Sequence, residues 1–412
     1  MTMLPEASPV YDMGFFARQP IFTASGELWG YGLLFRDRLE STAAGEQDRD
    51  EATRRVLAAA LEQLSADAPR LSVQFSARGV VEELPRTLPR DLLVADVCEK
   101  TASAPGVLEH LAALKADGYA ISVNSFSADP ALAGLYALAT ILWVDGLKPR
   151  VEVARLASAI RTLGAMPAIK RVENHEALSV ARDLEFQIFQ GYHFQQPQTV
   201  SVRRLSSNQL SRLKILQILE LPDPDIPALA ETIRSDVALS YRLLGFLNSP
   251  YFGLPSKVES VKQALTLLGW NQLRPWLRLV VLTDLTPPEK SSELPRHSAL
   301  RARFLELASA GVPGAPAQAL FLMGLFSLLP AMLDVPMDQV VGQLPLSPQV
   351  REALLGHENA CSAWLDLARG FERGDWEAVD LALERLGLSP VDAAVAYAQA
   401  VDWTDALFRG IG

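Results

Sequence analysis

The hydrophobic pattern changes period once along the chain. Up to about residue 200 it falls into short runs rich in β-branched and aromatic residues. FFARQPIF, LWGYGLLF, LSVQFS, LLVADV, YAISVNSF, ILWVDG, MPAIKRV and FQIFQGYHF each read as a strand. Helical stripes lie between several of them. EATRRVLAAALEQLSA sets Val56, Ala59, Ala60 and Leu64 on one face, and PGVLEHLAALKADG ends on Gly118 as a C-terminal cap. Strand followed by helix, repeated, predicts a parallel sheet with helical crossovers. Eight such strands in roughly 200 residues fit a small (β/α) barrel or a doubly wound sheet. In LWGYGLLFR, Gly30 and Gly32 leave the strand interior without side chains where packing or chemistry would use them.

After QQPQTVSVRRLSSNQ the period-two segments stop. Leu229, Ile233, Val237, Tyr241 and Leu244 recur at helical spacing, and VESVKQALTLLGWNQLRPWLRLVVL continues in kind. The expected organisation is an α/β domain over residues 1–200 and an all-helical domain over residues 201–412. Proline and polar residues in DLTPPEKSSELPRHS and GVPGAP mark surface loops within the second.

Composition agrees with two folded domains, because 412 residues exceed what one hydrophobic core usually organises. Hydrophobic residues make up 49% and charged residues 21%, enough to bury and too little charge for long disordered stretches. A net charge of −10 argues against broad attraction to nucleic acid or anionic lipid. Arg274 and Arg278, on either side of Trp276, have the spacing of a solvated helix face beside a core tryptophan rather than of a stacking patch. Cys98 and Cys361 lack partners at metal-site or redox spacing and read as buried thiols. No basic stretch followed by an apolar core opens the sequence. The longest uncharged run, Leu307 to Leu333, is interrupted by Gly311, Pro313, Gly314, Pro316 and Pro330, so ALFLMGLFSLL reads as a buried helix rather than a membrane span. A cytoplasmic protein without membrane insertion is the expectation.

ARQPIF, GYGLLFR, RVENHEAL and FQGYHFQQP resemble, in order and spacing, the EAL domain family of barrel phosphodiesterases acting on the bacterial second messenger cyclic di-GMP. LSYRLLGFLNSPYFGLPSKVESVKQALTLLGWNQLR resembles the HDOD domain, an all-helical relative of HD metal phosphohydrolases. The resemblance implies a TIM-like barrel followed by an HDOD domain, and it implies lost chemistry. The metal-binding glutamate that opens the family's name motif is matched by Gly32, the asparagine of the third strand by Gln74, and the glutamate of the fourth by Asp96. The aspartates of the fifth strand fall on Asn124 and Ser125, the lysine of the sixth on Trp143, and the first glutamate of the seventh-strand motif on Lys170. Asp145, Glu173 and Gln190 match.

Hard divalent cations holding an activated water need several carboxylates, and Lys170 adds a positive charge where a cation should sit. The expectation is therefore a protein with no metal, no cofactor and no catalytic residue. Arg36 matches the arginine that in the family helps hold the dinucleotide phosphate; it serves that role or anchors a strand end by an ion pair. Gln190 and Tyr192 are ligand contacts or strand packing in the same way. The helical half lacks the paired His-Asp of the HD enzymes, since Phe326-Ser327 stands at the matching place and His297 alone makes no site. His110, His175, His193, His297 and His357 read as surface or packing residues. In NSPYFGLP, Tyr251 and Phe252 either anchor a partner or lock one helix to the next. The sequence thus points to a signalling protein that binds other signalling proteins rather than turning over a substrate. A receptor that binds cyclic di-GMP without turnover is the alternative reading and an active phosphodiesterase the second alternative; the resemblance is compatible with a homodimer through barrel helices, and nucleic acid is not an expected partner.

Overall fold

A computed structural model describes residues 15–36, 69–195, 207–219 and 293–409 apart from 343 and 345, with single residues between 220 and 292. The helical stripe at 51–66 lies outside the described residues, as do Val237, Tyr241 and Leu244 of the second half. All eight strand patterns are strands: β1 (Phe15–Thr23), β2 (Leu28–Arg36), β3 (Arg70–Gln74), β4 (Leu93–Cys98), β5 (Ala120–Asn124), β6 (Ile141–Asp145), β7 (Met166–Lys170) and β8 (Ile188–Gln190). They close into a barrel in sequence order, which decides between the two architectures that the alternation left open.

One strand departs from the parallel expectation. β1 runs antiparallel to both β2 and β8, whereas β2 to β8 pair in parallel. The reason is the connection. Four residues separate Thr23 from Leu28, with Gly26 at φ +90°, and a link that short makes a hairpin but never a crossover.

The period of two separates the barrel's two faces. Leu33, Val73, Ala95, Val97, Ile121, Val123, Leu142, Val144, Ile169 and Phe189 point outward into a layer shared with the surrounding helices. Those helices include α1 (Ala77–Val81), α2 (Val107–Ala116), α3 (Ala133–Leu138), α4 (Arg150–Thr162) and α5 (His175–Asp183). Asn174 caps α5 by accepting from the Ala177 N–H, and Gly118 at φ +90° follows the C-cap of α2, as its sequence predicts. The alternate residues Ile21, Val94, Ile141, Trp143, Ala168 and Ile188 fill the barrel. Polar residues continue the same inward parity toward the carboxyl ends of the parallel strands, the end at which such barrels carry their chemistry.

Contacts divide the described residues into two units: those up to His193 together with Arg369–Asp380, and those from Phe194 to Ala368 together with Leu381 onward. The second unit is helical. It includes α6 (Ser207–Leu219), α7 (Glu293–Ala308), α8 (Ala317–Phe326), α9 (Leu329–Leu333), α10 (Met337–Val341) and α11 (Pro348–Leu354), and the chain ends in α12 (Ser362–Arg373), α13 (Trp376–Leu386) and α14 (Pro390–Arg409). The apolar run read as a single buried helix lies in α8 only up to Phe326, buried from Leu320, and its last residue, Leu329, begins α9. Gly324 lets α8 approach α7 closely, because a Cβ there would lie 2.6 Å from the Ala302 backbone nitrogen. Arg278 corrects the solvated-face expectation: it is 4% exposed, with its guanidinium 5.1 Å from the Phe321 ring centroid. Of the two thiols, Cys361 is buried and Cys98 only partly so. No helix among the described residues is long and apolar enough to cross a membrane.

Candidate functional site at the barrel mouth

Strand register brings most of the matched positions together. Gln74 pairs with Asp96, Asp96 with Ser122, and Asp145 with Lys170 in neighbouring parallel strands, while Gln19 pairs with Gly32 across the β1–β2 hairpin. Asp96 is the buried centre of the group at 4% exposed. The Ser122 hydroxyl donates to its Oδ1 at 2.5 Å, and the Lys170 Nζ lies 3.8 Å from its Oδ2. Burial pushes the Asp96 carboxyl above its ordinary range, with the Lys170 charge and the Ser122 bond pulling the other way. The same ammonium lies 4.9 Å from the centroid of the Trp143 ring. Trp143 is 1% exposed, and its indole N–H has no hydrogen-bond partner among the described residues.

Asp145 is also taken. Its Oδ1 accepts from Arg171 Nε at 2.8 Å and from the Leu147 N–H at 3.0 Å, and its Oδ2 faces Arg171 Nη2. Arg171 stands at φ +63°, an uncommon left-handed conformation for a side chain of its size. Glu173 is half-buried in the turn after β7. On the opposite wall, Gln190 Nε2 donates to Gln19 Oε1 at 2.9 Å. A Cβ at Gly32 would lie 2.6 Å from that same Nε2, so a side chain at residue 32 would have to displace Gln190. Gln74 is exposed, Asn124 is half-buried, and Ser125, at φ +61°, donates its hydroxyl to Asn124 Oδ1 at 3.3 Å. Tyr192 is buried, and its hydroxyl donates to the Glu372 carbonyl within the same unit. Arg36 ends β2, but its side chain lies outside the described residues, and so do Tyr251 and Phe252.

A second polar group borders the mouth. Glu99, just after β4, accepts from the Tyr136 hydroxyl at 2.5 Å and from the Ser127 N–H at 2.7 Å. Burial and then the bond to Glu99 push the Tyr136 phenol up to about 12. These contacts hold the loop after β5, where Ala128 also has a positive φ of 62°.

Metal ligation is a poor fit to this arrangement. Among the described residues no three histidine, cysteine or acidic side chains are grouped so as to hold an ion. In the helical unit, Phe326 is buried at the end of α8 and Ser327 accepts from Arg301 Nη1 at 2.9 Å. Arg301 Nη2 reaches Gln195 Oε1 at 2.8 Å, and His297 packs edge-on against Phe194 at 5.3 Å. His297 is buried, and its Nε2 lies 3.9 Å from Glu293 Oε2.

The sequence reading missed Ser122, Arg171 and Gln19. Ser122 was open to discovery, since it lies two residues before Asn124 on the inward parity of β5. Gln19 required knowledge that β1 is antiparallel. Arg171 has outward parity next to Lys170, and only its left-handed backbone brings it to Asp145.

An eight-stranded barrel with a reversed first strand and a polar mouth, followed by a helical unit, defines the class. Residues 208–340 match the HDOD domain model. The uncharacterized protein YuxH of Bacillus subtilis is 30% identical over 404 residues, spanning 94% of this chain and 97% of the relative. The cyclic di-GMP phosphodiesterase CdgJ of Vibrio cholerae is 30% identical over 405 residues, 96% of this chain and 93% of its own. Among solved structures, the Bacillus subtilis YkuI protein, with an EAL domain, in complex with c-di-GMP and calcium is 16% identical, covering 62% of this chain and 71% of that one at a TM-score of 0.38. The chain belongs to the EAL–HDOD family of two-domain proteins.

Proposed function

We propose that this protein is a non-hydrolysing EAL–HDOD protein that binds other signalling proteins in a cyclic di-GMP-linked network, such as one controlling motility. The observation that carries this reading is the Lys170 ammonium inside the mouth, 3.8 Å from the most buried of the matched carboxylates. Divalent cations that activate water beside a phosphodiester need carboxylates free to offset their charge. Asp96 and Asp145 each face a basic side chain instead, and residue 32 offers none. The donor set does not fit the metals, so no hydrolytic step is assigned.

The relative CdgJ is named a phosphodiesterase, which makes turnover the rival to be tested. Purified full-length protein incubated with cyclic di-GMP and either Mg²⁺ or Mn²⁺ is expected to release no linear dinucleotide by chromatography, and Gly32→Glu alone is expected to leave that result unchanged. Metal-dependent product above a buffer control would overturn the reading.

A second reading, a receptor that binds cyclic di-GMP without turnover, is favoured by one observation: the indole N–H of Trp143, buried in the barrel two residues before Asp145, has no partner among the described residues. Saturable calorimetric binding without turnover, lost in Arg36→Ala, would support that reading over the scaffold.

A further inference from the structure

Two of the three surviving carboxylates at the matched positions, Asp96 and Asp145, are answered by one dipeptide. Lys170, the last residue of β7, points inward, with its Nζ between Asp96 and the Trp143 ring at 3.8 Å and 4.9 Å. Arg171, the next residue, would point outward in an extended strand. At φ +63° it turns instead onto Asp145, meeting both carboxylate oxygens. An arginine held in the left-handed region carries a backbone cost, and here that cost accompanies a two-point charged contact.

Asp96 is nearly out of water, and a buried carboxylate without a counter-charge is expensive. In a metal-binding barrel a divalent cation would supply that charge. This chain supplies it covalently, with Trp143 walling one side of the ammonium where a ring face also attracts cations.

We infer that Lys170 and Arg171 are built-in counter-ions standing in for the exogenous cations of the barrel mouth, Lys170 serving Asp96 and Arg171 serving Asp145. Asp96 and Asp145 are neutralised from within, and this pair needs no divalent ion to be stable. A reversal of charge follows: with a carboxylate at residue 170, Asp96 and residue 170 would face each other without a counter-charge and would require an added cation. This inference rests on the non-hydrolysing reading but is measured without nucleotide. Turnover by the unaltered protein would defeat that reading alone, and the cation response decides this one.

The experiment is thermal denaturation of the full chain in chelator and in graded Mn²⁺, Mg²⁺ or Ca²⁺. The unaltered protein and Lys170→Arg are expected to melt within about 1 °C of their chelator values at every concentration. Lys170→Glu is expected to melt lower in chelator and to rise by at least about 3 °C, saturably, with one of the cations. Asp96→Asn added to Lys170→Glu should abolish that rise. A saturable shift of the unaltered protein that Asp96→Asn removes would overturn the inference. An unresponsive Lys170→Glu would do the same. If Lys170→Glu does not fold under any condition, Lys170→Arg against Lys170→Gln decides: the inference requires that arginine preserve the melting temperature and glutamine lower it, and equal effects would refute it.

Discussion

His193, the residue after Tyr192, shows how burial sets a pH dependence. It is 7% exposed, edge-on to Phe22 at 5.6 Å, and burial, reinforced by the nearby His175 and Arg182, lowers its imidazole to about 4 from 6.5. A folded value below the unfolded one means that protonation favours unfolding. The neutral ring's contribution is present above pH 6.5 and is lost as pH falls toward 4. Between pH 7 and pH 5 this group alone should remove about 2 kcal/mol of stability. Urea titrations at the two pH values are expected to show that loss in the unaltered protein and a loss smaller by a similar amount in His193→Gln. Parallel pH dependences would mean that the imidazole is not held neutral by its surroundings. Asp96 is a carboxyl raised by burial, so any contribution it makes has the opposite course, present at low pH and lost as pH rises through its folded value.

At the level of the element, β2 explains why legibility stopped where it did. Its two glycines look alike in LWGYGLLFR, and their reasons differ. A Cβ at Gly30 would lie 2.5 Å from the Arg70 carbonyl oxygen, a backbone atom of the paired strand that cannot move aside. A Cβ at Gly32 would meet only the amide end of Gln190, which can rotate away at the loss of its bond to Gln19. Gly30→Ala should therefore cost about 1–3 kcal/mol and Gly32→Ala less, a difference that thermal denaturation of the two variants would resolve. If the order is reversed, strand spacing is not what holds residue 30 to glycine. The strands themselves were legible because β-branched and aromatic runs of this length bounded by turn residues have few other readings. The inward set followed from parity, which is how Asp96, Asn124, Trp143, Asp145, Lys170 and Gln190 come to one end of the barrel. What alternation does not encode is strand direction or a single left-handed residue, so the reversal of β1 and the turn of Arg171 onto Asp145 were invisible.

Across the whole molecule, the boundary proposed near residue 200 has a testable refinement. The contact unit that holds the barrel also draws in Arg369–Asp380, where a Cβ at Gly374 would lie 2.8 Å from Leu34 Cδ1 and where Glu372 receives the Tyr192 hydroxyl. A fragment of residues 1–200 should fold, by circular dichroism, but melt below the barrel transition of the full chain, and an equal melting temperature would show that the later residues contribute nothing to it. Partner capture with each half separately addresses the proposed binding role, and Tyr251 and Phe252 remain its proposed anchors in the helical half. The reversed first strand sets a practical rule for such experiments. Because β1 runs against its neighbours, Phe15 pairs with Arg36 at the mouth end of the barrel rather than at the far rim. A reporter or affinity handle joined shortly ahead of β1 would be leashed beside the very opening under study and would compete with whatever approaches it.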